Sequence, residues 1–316
     1  MSDDSSLQIP FPHRRNPHDT HAAAHHRDWL DRHPDLVSGT GHTAYAHWEV
    51  VELAALGYPE AEPDELALAA DLMGFYFLFD DQFDGPLGRQ PTEVAKICDR
   101  LNQVLHGARP DPSSAVENAF ADLWARSVRS MPARWRARAA YNWEWYFASH
   151  PAEAAGRISG EAPSRDGYLI LRRGTAAMET IFDMIERLGG FEVPTAAYHH
   201  PVLRQLRQLA ADIPSLSNDV RSYALEAPRG DVNNLVMIVQ RERGCSAEEA
   251  CAVVTAEAQL MVERCAELVA ELPRAYSWLG LDRTQRWAAQ RYAEGLVTWL
   301  AGYLRWEART GRYRTA

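Results

Sequence analysis

The sequence predicts an all-α fold in one domain, and three observations predict it. Apolar residues recur at helical spacing in segment after segment beyond residue 40. Alternating β-branched runs of the kind that make strands are scarce, while alanine is abundant. Of the 316 residues, 46% are hydrophobic, enough to fill a large buried core. No internal repeat, low-complexity stretch or long linker divides the chain, so residues 1–316 read as one helical domain. A polar segment over about residues 1–20 is left either flexible or ordered against it.

Each helix has its own boundary signals. Asp64, just after Pro63, is placed to cap a helix in which Leu66, Ala69, Met73, Tyr76 and Phe77 repeat at helical spacing. Gly85-Pro86 stops it, which puts Asp80 to Asp84 in its last turn. Further helices are expected from about Ala115 to Arg129, through Arg138 to Phe147, and from Gly167 to Leu188 before Gly189-Gly190; Glu161 to Asp166 is turn-like. Val202, Leu206, Leu209, Ile213 and Leu216 make an apolar stripe that Pro214 should kink. Ala250 to Leu272 continues the pattern through Val254, Met261, Cys265 and Leu268. A final helix carries Tyr292, Leu296, Trp299, Tyr303 and Trp306 on or near one face. Most of these apolar side chains read as ordinary core.

Composition removes several classes of function. A net charge of −10, from 33 basic and 43 acidic residues, argues against a nucleic-acid partner, which needs a basic face. No apolar run approaches a membrane span, so stable membrane insertion is not expected, and Met1 to Asp19 does not resemble a signal peptide. Cys98, Cys245, Cys251 and Cys265 form no C-x-x-C pair; they read as reduced thiols of a cytoplasmic protein rather than zinc ligands. Eight of the 12 histidines precede residue 50. His21, His25 and His26 have the spacing of helical metal ligands, but in a polar stretch near a terminus they read as a solvated or incidental cluster.

Two polar constellations carry chemistry. Asp80, Asp81 and Asp84 place three carboxylates in one turn, directly after the apolar run Phe75 to Phe79. Such a group repels itself unless a cation neutralises it, and magnesium, which prefers hard oxygen ligands, does so well. A solvated acidic helix end is the bland alternative, but acidic residues favour helix N-termini. An EF-hand would need a glutamate at its twelfth position, where this chain has Pro91. The second constellation is Asn218, Ser222 and Glu226, a hard oxygen every four residues. The helical span from 218 to 226 is about 12 Å, so convergence is just feasible, and a polar surface stripe stays open as the alternative.

With these residues in view the sequence resembles the bacterial class I terpene synthases, and most closely their single-domain sesquiterpene cyclases. Asp80-Asp81-Gln82-Phe83-Asp84 is similar to their aspartate-rich motif, and Asn218 to Glu226 to their second metal motif. Tyr168 to Ala176 resembles the diphosphate-sensor segment, Trp306 followed by Arg312-Tyr313 the C-terminal arginine-tyrosine motif, and Phe11-Pro12 to Asn16-Pro17 the N-terminal segment. The resemblance implies an antiparallel helical bundle around one central apolar cavity. It implies a site with three magnesium ions, held by Asp80, Asn218, Ser222 and Glu226, with Asp84 either supporting the ligands or serving as an occasional one. Asp81 would orient basic partners. Arg172 would sense the diphosphate, Thr175 would link, and Ala176 would present a backbone carbonyl to the cation. Arg312 and Tyr313 would donate to the diphosphate on closure, and Phe77, Tyr76, Tyr146 and Trp306 would line the pocket.

The activity so implied is ionisation of a prenyl diphosphate, farnesyl diphosphate by resemblance, and cyclisation to a sesquiterpene hydrocarbon or alcohol. Leu225 departs from the lysine or arginine that many members carry before the final glutamate, and Arg221 or Arg229 are the candidates to compensate. A homodimer is left open. A chain-elongating prenyltransferase usually has two aspartate-rich motifs and several lysines, whereas this chain has one such motif and the single lysine Lys96. A helical protein that binds prenyl diphosphate without turnover is the non-enzymatic alternative.

Overall fold

A computed structural model describes residues 7–161, 163–229 and 231–313, and among them there are helices and no strand. In chain order these are α1 (Asp19–Arg32), α2 (His42–Ala46), α3 (Val50–Gly57), α4 (Pro63–Asp81), α5 (Pro91–Leu105), α6 (Ala115–Ser127), α7 (Ala133–Ser159), α8 (Arg165–Thr175), α9 (Met178–Gly189), α10 (Thr195–Tyr198), α11 (Pro201–Glu226), α12 (Leu235–Arg243), α13 (Ala247–Trp278) and α14 (Arg283–Glu307). The all-α expectation holds.

Helix α4 organises the bundle. Every residue from Leu66 to Tyr76 is buried, the pattern of a helix surrounded on all sides. It packs on α1, α3, α6 and α9. Phe75 and Phe79 stack at 5.6 Å, and Phe120 of α6 meets Trp143 of α7 edge-on at 4.9 Å, so aromatic pairs brace this side. Opposite, α11 packs on α8, α12, α13 and α14, and α14 closes the circle against α3 and α9. The aromatic face foreseen on α14 is core: Tyr292, Leu296, Trp299, Tyr303 and Trp306 are all buried. No helix is long and apolar enough to cross a membrane among the described residues.

Several local expectations are corrected. The α4 helix begins two residues early: Pro63 takes the first helical position and Glu62, not Asp64, sits at the cap, without a side-chain capping bond. It ends at Asp81, and the chain then tightens into Asp80 O to Phe83 N and Asp81 O to Asp84 N turns. Asp84 therefore lies beyond the helix, because Pro86 steers Gly85 out of the helical region. The helix expected from Gly167 to Leu188 is broken in two at Ala176–Ala177, where Ala177 adopts a left-handed φ of 57°. Helix α11 runs through Pro214 without ending, and α7 and α13 likewise run through Pro151 and Pro273, longer than the apolar pattern indicated. Of the turn Glu161–Asp166, Ala162 lies outside the described residues, and Arg165 already begins α8.

The histidine cluster is not a solvated accident. Residues 1–6 of the polar segment are outside the described residues, but Asn16 is buried, its side-chain amide donating to the carbonyls of Tyr58 and Ala61. His26 is 4% exposed; its Nδ1 pairs with Asp71 at 2.9 Å and its Nε2 with the Tyr45 hydroxyl at 2.7 Å. Asp71, fully buried on α4, also meets His25 at 3.2 Å and Arg126 at 2.7 Å. This network ties α1 and α6 to α4, satisfying a carboxylate that burial alone would penalise. Gly74 makes room for it: a Cβ there would lie 2.5 Å from the Tyr45 hydroxyl.

Candidate active site

At the C-terminal end of α4 the bundle encloses a cavity of about 280 Å³, walled by α3, α4, α7, the α8–α9 break, α11 and α14. Its deeper wall includes Leu53, Met73, Tyr76, Ile181 and Trp299; its mouth is ringed by carboxylates and arginines. One side of the mouth carries Asp80, Asp81 and Asp84, and the other Asn218, Ser222 and Glu226 from the last turns of α11. The two constellations, 138 positions apart from Asp80 to Asn218, thus face a common space.

Burial sets the charge state of this mouth. Desolvation pushes the Asp80 carboxyl up, against the pull of Arg312, Arg172 and Arg157. The Asp84 side chain is 42% exposed, yet desolvation and neighbouring Asp80 push it up to about 6. Burial raises Glu226, opposed by the hydrogen bond that Asn234 Nδ2 donates to it at 2.9 Å. Glu153 and Asp219 are each pushed up to about 7 by burial, against Arg157 and Arg172 respectively. So many carboxyls held above their usual range mark a place that gains from cations.

The remaining expected residues converge on the same space, with one exception. Arg172, at the end of α8, donates to Asn218 Oδ1 at 2.6 Å and lies 3.6 Å from Asp219. Asn218 Nδ2 donates in turn to the Tyr313 hydroxyl at 2.6 Å, so sensor, second motif and C-terminal tyrosine form one chain of contacts. Arg312 is 3.7 Å from Asp81 Oδ1, while Thr40 donates to Asp81 Oδ2 at 2.6 Å. Thr175 and Ala176 line the cavity at the helix break. The Ala177 carbonyl is taken by Ile181 N and the Thr180 hydroxyl. Phe77, Tyr76 and Tyr146 line the wall; Trp306 does not. It is fully buried behind Phe77, ring centroids 5.4 Å apart, and its indole N–H donates to Trp48 O. A fully buried indole whose N–H is already hydrogen-bonded to the backbone belongs to the core.

Leu225 does line the mouth, and of its two candidate substitutes only one is present there. Arg229 lies 3.3 Å from Asp84; Arg221 instead turns away to the buried Glu307 at 3.0 Å. Other cavity groups were not anticipated. Arg157 sits between Glu153 and Asp231, at 3.3 and 3.2 Å, and Arg89 donates to the carbonyls of Arg157 and Arg229. A signal existed: Tyr146, His150, Glu153 and Arg157 continue one face of α7 at spacings of four, three and four. Asp80, His150 and Glu153 bring ligand-type atoms within 4.8 Å of one another. Asp219 was in plain sight within the second motif; it accepts from the Tyr168 hydroxyl at 2.5 Å and Leu235 N at 2.8 Å, anchoring the start of α12.

The donor set fits a hard divalent cation. Asp80, Asn218, Ser222 and Glu226 offer only oxygens, and the buried Ser222 hydroxyl makes no geometric hydrogen bond of its own. A helical barrel whose mouth opposes these oxygens and surrounds them with arginines suits a divalent cation together with an anionic ligand. The model for terpene synthase family 2, C-terminal metal binding, matches residues 71–264. The chain is 35% identical to pristinol synthase of Streptomyces pristinaespiralis, over 98% of this chain and 84% of that one. It is 33% identical to a (-)-beta-caryophyllene synthase of Saccharothrix espanaensis described as (2E,6E)-farnesyl diphosphate cyclizing, over 98% and 88%. The crystal structure of germacradien-4-ol synthase from Streptomyces citricolor superposes with a TM-score of 0.92 at 61% identity, covering 98% of this chain and 100% of that one. The chain belongs to terpene synthase family 2, and it is a class I terpene synthase.

Proposed function

We propose that the chain ionises and cyclises farnesyl diphosphate, with three magnesium ions, to a sesquiterpene. The observation that carries this reading is the mouth itself: Asp80 on one side and Asn218, Ser222 and Glu226 on the other, with Arg172 and Arg312 lining the same cavity as the apolar and aromatic wall. The C15 chain length rests on the printed activity of the caryophyllene-forming relative, and the 61% likeness to germacradien-4-ol synthase favours an alcohol.

Magnesium held by these oxygens would neutralise negative charge developing on the departing diphosphate. The chain's own groups do the rest. Arg172, Arg312 and Tyr313 donate to the diphosphate oxygens, fixing the leaving group where Arg157 and Arg229 add positive potential. Ala176, at the break between α8 and α9, lines the cavity, where its carbonyl would offer a partial negative charge to the allylic cation. Tyr76, Tyr146 and Trp299 offer aromatic faces to the same charge and exclude bulk water from it. Their hydroxyls and indole N–H, with the Thr175 hydroxyl, are buried without a protein partner among the described residues, so the wall can also hold a water for capture.

Chain elongation is disfavoured by the placement of Lys96, which pairs with Glu93 on the surface of α5 at 66% exposure. The test is gas chromatography–mass spectrometry after incubation with C10, C15 and C20 prenyl diphosphates and magnesium. A cyclic C15 product is expected. A longer linear product in the presence of isopentenyl diphosphate sinks cyclisation, and no product from any of the three sinks turnover.

A further inference from the structure

The C-terminal arginine reaches the cavity from beyond the last helix, so something must aim it. Between Glu307, the end of α14, and Arg312 the chain leaves regular structure and runs along the turn that joins α2 to α3. That turn receives it closely. The Thr310 hydroxyl donates to Trp48 O at 3.0 Å, Gly311 N to His47 O at 2.9 Å, and the Trp306 indole to Trp48 O at 2.8 Å. A Cβ at Gly311 would stand 3.1 Å from His47 O, a tight approach at which glycine avoids crowding. The turn is itself held in an unusual shape: Glu49, not a glycine, has a left-handed φ of 53°.

The arginine then enters an aromatic wedge. Its Cζ lies 4.3 Å from the centre of the Trp48 ring and 4.8 Å from that of Phe77, and these two rings stand 6.2 Å apart at 58°. Phe77 is thus occupied by a guanidinium in this arrangement, a different use from the one its position on α4 suggested. A planar guanidinium favours an aromatic face, and Trp offers the strongest one. Trp48 is 7% exposed, so the contact is largely desolvated, where it counts most. Asp81, held on its other oxygen by Thr40, supplies the charge that orients the edge of the fork.

We propose that Trp48 is a positioning residue for the diphosphate: its ring is the platform that seats Arg312, and the His47–Glu49 turn is the dock for the C-terminal segment. This rests on the diphosphate reading above, but its readout does not need turnover. The arginine's long stem has many rotamers. Stacked on Trp48 and Phe77, with its backbone pinned two residues upstream, it is presented toward the cavity mouth before the ligand arrives.

Isothermal titration calorimetry of inorganic pyrophosphate with magnesium tests this on the parent, Trp48→Leu, Arg312→Leu and the double variant. A desolvated cation–π contact corresponds to about tenfold in affinity, so Trp48→Leu is expected to bind about tenfold more weakly. In the Arg312→Leu background the same change is expected to cost nothing further, because the platform has lost what it holds. A merely structural Trp48 would give losses that multiply in the double variant, and that result overturns the proposal. So does a Trp48→Leu protein that binds like the parent. Should Trp48→Leu fail to fold, Trp48→Phe is read instead: a loss of about two- to threefold that vanishes with Arg312→Leu supports the platform. The same loss persisting there overturns it. If the parent binds pyrophosphate but turns over no prenyl diphosphate, the functional reading fails while the platform is still decided.

Discussion

Replacing Arg172 by methionine keeps most of the side-chain stem and removes the guanidinium. Two contacts disappear: the 2.6 Å donation to Asn218 and the 3.6 Å approach to Asp219. Breaking a buried ion pair ordinarily costs about 3–5 kcal/mol. Here the carboxylate left behind keeps the Tyr168 hydroxyl and the Leu235 N–H, so the cost in stability should fall to about 1–3 kcal/mol. The effect on turnover is larger. A preorganised donor aimed at developing negative charge is worth about 2.7–4 kcal/mol, or about 10²–10³ in kcat. Arg172→Lys restores a charge but not a planar fork, so it should recover stability more than rate. Urea midpoints give the first quantity, and product formation by gas chromatography–mass spectrometry gives the second. A methionine variant turning over within about threefold of the parent would refute the placement of Arg172 on the diphosphate.

Three further outcomes are expected. Asp80→Ala and Asn218→Ala should each lose turnover while keeping a native circular dichroism spectrum; normal activity in either removes the metal assignment. Asp84 is held up to about 6, so protons compete with magnesium below that value, and apparent magnesium affinity should rise as pH climbs through about 6. The sign for folding is opposite: the folded form keeps a proton that the unfolded chain releases from about pH 4, so the metal-free protein should lose stability as pH rises through about 6. Magnesium titrations and melts at pH 5.5 and 8 read both, and a pH-independent affinity would count against the cluster. Trp306→Ala should cost about 3–5 kcal/mol, as a fully buried indole does. Trp306→Phe should leave the product profile unchanged, and an altered profile would put the residue back on the cavity wall.

The legible parts were those written in local pattern. The apolar period of α4 and the Gly85-Pro86 stop placed Asp80 at a helix end, and the period of α14 identified its core face. The break at Ala177 was not legible, since alanine favours helix and nothing local demands a left-handed residue there. Pro214, where a kink was expected, lies inside a continuous α11 that packs against α13 and α14. In the site, residues inside a motif or on one helix face could be read, whereas Trp48 and Thr40 could not. Trp48 reaches Arg312 from the turn before α3, which packs against α14, and Thr40 reaches Asp81 from the segment before α2, so neither pairing is local in sequence.

The cavity's polar mouth and its deeper wall are made by different side chains on the same helices. On α4, Asp80 belongs to the mouth and Met73, two turns earlier, to the wall; on α14, Trp299 belongs to the wall and the chain beyond it to the mouth. A change at Leu53, Met73 or Ile181 therefore touches no ligand oxygen and no arginine. The step that generates the cation is insulated from the contour that disciplines it. A substitution on that wall reshapes the chamber while leaving the polar mouth in place.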